Sequence, residues 1–199
     1  MRITKEAKKK TEYKILRAAE KLFTKEGYKE TTTRRIAVEA GIAAGTLFNY
    51  FPSKETLAMS LLAEKLALGR EDFTRRLTSE ESLSEDLFLL ITSELRRLRP
   101  FRSFVAPVLE TTMSPFPKEN SCPAGQDSRA AHLDMVQKII HNHGLSNIPE
   151  HISTTLYWSL YLGILAFWSS DTSRNQEETL ALVDYSINVF TRTISDTSL

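Results

Sequence analysis

The sequence has 199 residues, 41% of them hydrophobic and 26% charged, which is enough for a packed core and excludes a chain disordered throughout. Its single cysteine, Cys122, excludes a disulfide framework and any multi-cysteine metal site. No apolar run reaches the roughly 18 residues of a membrane helix, and residues 1–10 lack the apolar stretch of a signal peptide. We therefore expect a soluble, cytoplasmic protein.

The net charge of +1 hides an asymmetry between the two ends of the chain. Residues 1–54 carry 13 basic and 6 acidic side chains, whereas residues 55–199 carry 13 basic and 19 acidic ones. A basic segment joined to an acidic body indicates a polyanion-binding end. A merely solvated basic helix surface would give the same count.

The N-terminal part of the chain shows three helical segments in succession. Apolar residues spaced by three and four predict a helix from Thr11 to Gly27, preceded by a flexible tail over residues 1–8. Thr31, Thr32 and Thr33 offer an N-cap to a short second helix that Gly41 ends, and a third runs from Ala44 to Tyr50.

The rest of the chain is also helical in pattern. Ser53 is a good N-cap for a long fourth helix whose period can be followed to Leu77. Ser82 or Ser84 begins a fifth, ended by Pro100, and residues 101–112 form a sixth in which we expect a kink at Pro107. The prolines within residues 113–126 predict a loop, and helices are expected over about 127–143, 150–170 and 177–194.

No strand alternation longer than a few residues appears, so the fold class is all-α with about nine helices. We expect an N-terminal three-helix domain over residues 1–54 and a helical domain over residues 55–199. Residues 32–51 read as helix, glycine turn and helix, the helix-turn-helix architecture in which the second helix enters a major groove of DNA. Small residues at the exposed start of that helix would let its backbone approach base edges, and Thr46 and Asn49 can bond bases or phosphates.

The string TTTRRIAVEAGIAAGTLFNYFPSKETL resembles the signature of the TetR/AcrR family of bacterial transcription regulators in order and spacing, without a gap. With the helix before it, the resemblance covers about residues 10–65. It implies a regulator that binds double-stranded operator DNA, most often as a repressor and at an inverted repeat. It also implies a homodimer and a small-molecule effector. From the residues themselves we expect no enzyme activity, cofactor or metal, since the chain has one cysteine and no acidic cluster beside its histidines.

The resemblance assigns the DNA contacts residue by residue. In this family, such residues lie on the side of the second helix of the helix-turn-helix that faces the DNA groove, or they bind backbone phosphates. The matching positions here are Arg34, Ala44, Gly45, Thr46, Phe48, Asn49, Tyr50 and Lys54. Three departures affect the expected contacts. Ala43 stands where the family often has a capping Ser, and Phe48 stands where it often has Tyr. Arg35 stands where an acidic residue often completes a capping box.

The C-terminal helices are too apolar for the surface of a monomer. A narrow stripe on the last helix suits a helix-bundle seam and predicts a dimer interface of Leu180, Val183, Ile187 and Phe190. Aromatic and Met residues in the middle of the domain can line a cavity for an apolar or aromatic effector, with an ordinary packed core as the alternative. The candidate pocket residues are Phe104, Met113, Trp158 and Tyr161.

The sequence holds no nucleophile elbow, phosphate-binding loop or dinucleotide fingerprint. Two alternatives to a ligand-responsive repressor stay open. One is a helix-turn-helix protein without a small ligand, acting in the nucleoid or through protein–protein contacts. The other is an all-α small-molecule-binding protein or enzyme, which the basic N-terminal segment disfavours.

Overall fold

The structure is a computed structural model that describes residues 4–78, 81–112, 122–145 and 149–195, and over these ranges it contains helices and no strand. The helices are α1 Lys5–Glu26, α2 Thr33–Glu39, α3 Ala44–Phe48, α4 Lys54–Arg76, α5 Leu83–Leu98, α6 Arg102–Thr112, α7 Pro123–Asn142, α8 Glu150–Ser170 and α9 Glu177–Ser195. A 3-10 helix, Arg99–Phe101, joins α5 to α6. When α5 and α6 are counted as one continuous helix, the described ranges contain eight helices instead of nine. The all-α prediction is confirmed.

The chain divides into two compact units. The first comprises Met1–Glu64 and Pro100–Gln126, and the second Lys65–Arg99 and Asp127–Leu199. The sequence predicts a boundary after Lys54, whereas the first unit continues through ten more residues of α4 and also takes in α6. Phe104 explains the second addition, because its ring packs against Phe23 and Tyr28 of the first unit.

Helix α1 begins earlier than predicted. The hydroxyl of Thr4 accepts the amide of Ala7 at 3.2 Å and caps the helix, so Lys5–Lys8 are helical where the sequence predicts a flexible tail. The apolar face of α1 becomes buried only from Ile15 onward. The first turns of α1 are therefore an exposed helix rich in lysine.

The caps of the helix-turn-helix follow the sequence closely. Thr32 accepts the amide of Arg35 at 3.3 Å, and Ser53 accepts the amide of Thr56 at 3.1 Å. Ala43 offers no side-chain cap to α3, as its methyl group dictates. Gly41 has a φ of 69°, which favours glycine and turns the chain between α2 and α3.

In the second unit, Ser82 and Glu85 form a capping box at the start of α5, and α8 has the bounds that the sequence predicts. The prediction for α7 is wrong by one turn. It starts at Pro123 because proline fits the first position of a helix, where no amide bond is lost. Pro107 lies inside α6.

Helix α9 packs against α5 and α8 within the chain. Val183, Ile187 and Phe190 are at most 3% exposed, so the chain's own helices already cover them. Of the residues predicted to meet a second copy, Leu180 alone is substantially exposed, at 42%. The apolar stripe of α9 therefore faces the core of its own unit, and a partner would meet another side of the helix.

Within the described ranges no helix combines the length and the apolar character needed to cross a bilayer.

Candidate functional site

The turn and the first part of α3 present small side chains to solvent. Ala43, Ala44 and Gly45 are exposed, and Thr46 is half-buried. Leu47 is fully buried and fixes α3 to its unit, whereas Phe48 is 48% exposed and Asn49 is exposed. This order leaves one side of α3 open along its length.

Gly45 does not serve the packing of the chain itself. A Cβ built at this position meets no heavy atom within 4 Å. Glycine inside a helix costs about 1 kcal/mol relative to alanine, so the residue weakens α3 without relieving an internal contact. Its small size is relevant only to something that approaches the exposed side.

Lys54, at the start of α4, is held by the loop that follows α1. Its ammonium donates to the carbonyl oxygens of Tyr28 and Thr31 at 3.0 and 3.2 Å, and stands 4.3 Å from the centroid of the Tyr28 ring. An ammonium has three N–H donors, so one is left for a further acceptor. Lys54 is half-buried, and the sequence predicts a phosphate-binding cation here but not these anchors.

The arginines of α2 differ in their surroundings. Arg35 forms an ion pair with Glu26 at 2.6 Å, which ties α2 to α1. The guanidinium of Arg35 is therefore already paired within the chain. Lys21 and Glu39 make a similar tie at 2.6 Å. Arg34 is exposed, and Tyr50 is half-buried beside the end of α3.

A buried polar cluster lies in the second unit, around the fully buried carboxylate of Glu94. Arg70 of α4 donates to it at 2.9 Å, the Nδ1 of His132 of α7 lies 2.9 Å away, and the hydroxyl of Tyr161 of α8 donates at 2.7 Å. The other ring nitrogen of His132 lies 3.1 Å from the hydroxyl of Tyr157. Four helices thus meet at one carboxylate.

The cluster keeps Glu94 ionised and its tyrosines protonated. Burial alone would raise the pKa of Glu94, but the adjacent His132 and Arg70 hold it below its usual value. Burial and the nearby Glu94 charge raise the pKa of both Tyr157 and Tyr161 well above the ordinary range. The cluster is therefore a set of donors directed at one anion.

Two buried donors of α7 and α8 have no hydrogen-bond partner. They are the indole nitrogen of Trp158 and the hydroxyl of Ser128, both in residues less than 5% exposed. The guanidinium of Arg129 stands 5.1 Å from the centroid of a Trp158 ring, and the indole packs beside Tyr161 at 5.4 Å. This part of the second unit has hydrogen-bonding capacity that the chain itself does not use.

The candidate pocket residues are distributed over both units. Trp158 and Tyr161 lie together in the second unit, Phe104 belongs to the first, and Met113 lies outside the described residues. Arg70 was missed, since no sequence signal distinguishes it from a solvated arginine. The position of Glu94 among the apolar residues of α5 is a sequence signal that could have indicated a buried carboxylate.

The remaining chemistry is sparse. Cys122 is a buried free thiol directly before α7, and its carbonyl accepts the amide of Gln126 at 3.1 Å. Within the described part of the chain, no three His, Cys, Asp or Glu side chains are grouped so that they could hold a metal ion.

Comparison with known proteins bears on both ends of the chain. Residues 15–61 match the family model described as bacterial regulatory proteins, tetR family, and residues 87–199 match a tetracyclin repressor-like C-terminal domain. A fatty acid metabolism regulator protein of Bacillus subtilis is 31% identical over 84 residues, which are 42% of this chain and 43% of that protein. The chain spans less than half the length of this relative and of two further regulators of the same organism.

Two solved structures share the fold. A TetR transcriptional regulator from Rhodococcus sp. RHA1 aligns with a TM-score of 0.71 at 17% identity, over 92% of this chain and 97% of that one. The repressor FadR of Thermus thermophilus, solved in complex with lauroyl-CoA, aligns with a TM-score of 0.68 at 23% identity, over 94% and 95% of the chains.

Proposed function

The chain belongs to the tetR family of bacterial regulatory proteins, and on that premise we propose that it is a DNA-binding transcriptional regulator, which acts as a dimeric repressor and is released from an inverted-repeat operator by a small-molecule effector. The observation that supports DNA binding is the exposed side of α3. Exposed small residues there, including a glycine that no internal contact requires, suit close approach to base edges.

We assign the DNA contacts according to exposure and chemistry. Ala44, Gly45 and Phe48 line the approach to the major groove, while Thr46 and Asn49 bond base edges. The backbone phosphates are bound by the polar groups around this helix, namely Arg34, Tyr50 and Lys54. The anchored ammonium of Lys54 has its position fixed before DNA arrives, which lowers the entropy cost of the contact.

The dimer is proposed to form through the sides of α8 and α9 that face away from the core of their unit. Exposed apolar side chains there are Ile152, Phe167, Leu180, Tyr185 and Val189. Such residues suit an isologous interface between two copies, and a two-fold protein matches an inverted repeat.

The effector is proposed to bind in the second unit, with its polar group at Trp158 and Tyr161. Supporting this are the unpartnered donors of Trp158 and Ser128 and the adjacent guanidinium of Arg129, which together suit an acceptor-rich or anionic group. The lauroyl-CoA bound by the Thermus thermophilus repressor makes fatty acyl thioesters the first effectors to test.

Selection of bound sequences from random duplex DNA tests this function with the full chain. We expect enrichment of an inverted repeat with half-site centres about 34–36 Å apart, one turn of DNA. The matched variants are Asn49→Ala at the C-cap of α3 and Thr24→Ala on α1, both replacing an exposed polar side chain. Asn49→Ala should change the enriched sequence and Thr24→Ala should not.

Enrichment of a single unrepeated site would contradict the dimeric reading. Binding without any enrichment would favour the alternative of a helix-turn-helix protein with a sequence-independent role. If an operator emerges but acyl thioesters and aromatic carboxylates all leave its affinity unchanged, the effector part of the proposal fails on its own.

A further inference from the structure

A stack of three side chains connects α6 to the start of α4 within the first unit. The rings of Phe104 and Tyr28 are stacked, with centroids 5.1 Å apart and planes inclined by 19°. The Lys54 ammonium lies 4.3 Å from the centroid of the same Tyr28 ring. Tyr28 is thus in contact with an α6 side chain and with a cation assigned to the DNA backbone.

Other contacts fix the central ring. Phe23 packs edge-on against both Tyr28 and Phe104, at 5.2 and 5.3 Å between centroids. The hydroxyl of Tyr28 donates to Glu55 at 3.3 Å, and its carbonyl accepts from Lys54 at 3.0 Å. A displacement of the ring would therefore shift the surface on which the ammonium rests and one of the oxygens that hold it.

We infer that Phe104 is a positioning residue for DNA binding, which sets the place of the Lys54 ammonium through the ring of Tyr28. The inference rests on the proposed phosphate contact of Lys54. A shift of α6 would change the contact of Phe104 with Tyr28 inside the first unit, and through Tyr28 the place of Lys54.

The physical basis is the interaction of a cation with an aromatic face. An ammonium is attracted by the ring quadrupole only while it stays over the face, and stacked rings keep a preferred offset. Removing Phe104 frees the Tyr28 ring to tilt, which weakens the hold on Lys54. The effect should appear in DNA affinity even for random sequence, since phosphate contacts do not depend on sequence.

A double-mutant cycle tests this with the full chain and a fluorescent random-sequence duplex. Phe104→Leu is expected to lower the affinity by about threefold to tenfold, the range of an aromatic pair. In a Lys54→Gln background the same substitution should have no further effect. Val105→Ala is the control, because Val105 is equally buried but points about 100° away around α6.

Proton NMR adds a readout that a general loss of stability would not change. The ε-methylene protons of Lys54 should show the upfield ring-current shift of a group above an aromatic face, and Phe104→Leu should reduce it while Val105→Ala should not. If Phe104→Leu loses its helical circular dichroism, Tyr28→Leu removes the central ring instead and should give the same loss of affinity.

The outcomes separate the inference from the proposed function. An equal effect of Phe104→Leu in both backgrounds, or an unchanged ring-current shift, overturns the positioning role alone. An unaltered affinity of Lys54→Gln overturns the phosphate contact, and the inference with it.

Discussion

The carboxylate of Glu94 lies 2.9 Å from the guanidinium of Arg70, with Glu94 fully buried and the Arg70 side chain 10% exposed. Because Arg70 is on α4 and Glu94 on α5, this pair ties the second half of α4 to the core of the second unit. A buried ion pair is weak support for stability in itself, since both charges lose their hydration. Removing one partner is costly, because the other charge stays buried.

Glu94→Gln should therefore lower the free energy of unfolding by about 3–5 kcal/mol, measured by urea denaturation. Glu94→Gln combined with Arg70→Met should be less destabilised than the single variant, since no unpaired cation remains. Asp134→Asn removes an exposed pair with Lys138 on α7 and should cost less than about 0.5 kcal/mol. Equal losses for Glu94→Gln and Asp134→Asn would mean that solvent reaches the Glu94 cluster.

Gly69, next to Arg70, marks a close approach of α4 and α5. A Cβ at this position would lie 2.7 Å from the Cα of Glu94, whereas at Gly163 of α8 it meets nothing within 4 Å. Gly69→Ala should destabilise the protein by about 1–3 kcal/mol, because backbone has to move. Gly163→Ala should stabilise it by up to about 1 kcal/mol through helix propensity. Thermal unfolding of both variants measures the difference, and a stabilising Gly69→Ala would show that the helices separate at no cost.

The parts of the fold that depend on local chemistry could be predicted from the sequence. Ser82, Thr32 and Ser53 were identified as caps because their hydroxyls accept amides a few residues away, a relationship that spacing alone encodes. The start of α1 was missed because Thr4, the capping residue, precedes a lysine-rich stretch without apolar period. Helix turns made only of polar residues lack the apolar period from which a helix is predicted.

What covers a predicted surface could not be read from the sequence. The period of Val183, Ile187 and Phe190 correctly indicates one apolar side of α9, but not whether α5 and α8 or a second copy packs on it. Similarly, the anchors of Lys54 are backbone carbonyls more than twenty residues away, which any sequence could supply. Long-range partners of this kind depend on the tertiary structure.

Asp171, at the end of α8, is expected to make stability depend on pH. Hydrogen bonds from Thr179, followed by those from Ser173, hold the pKa of this carboxyl well below its usual range. A lowered pKa in the folded state gives stability that is present above the unfolded value of about 3.9 and is lost as pH falls. The difference in unfolding free energy between wild type and Asp171→Asn should shrink as pH drops from 7 to 3. A constant difference would assign the effect to packing.

Lys54→Gln should weaken binding to operator and to random duplex by similar factors. It should also reduce the slope of log affinity against log salt by about one, because one fewer counterion is released. Lys138→Gln, an exposed lysine of α7, is the charge-matched control and should leave the slope unchanged. Titrations at several salt concentrations measure this, and an unchanged slope for Lys54→Gln would remove Lys54 from the phosphate contacts.

Two neighbouring positions of α9 separate dimerisation from folding. Val189 is 44% exposed and lies one turn from the exposed Tyr185, whereas Ile187 is 3% exposed within the core of its unit. Val189→Glu should give a folded monomer, because a charge on the proposed interface is desolvated only when two copies associate. Ile187→Glu should instead unfold the second unit, because it places an unpaired carboxylate in an apolar core. Light scattering and circular dichroism on the same samples distinguish the two outcomes. A dimer that survives Val189→Glu and Tyr185→Glu together would place the interface away from this side of α9, and with it the two-fold axis that an inverted-repeat operator requires.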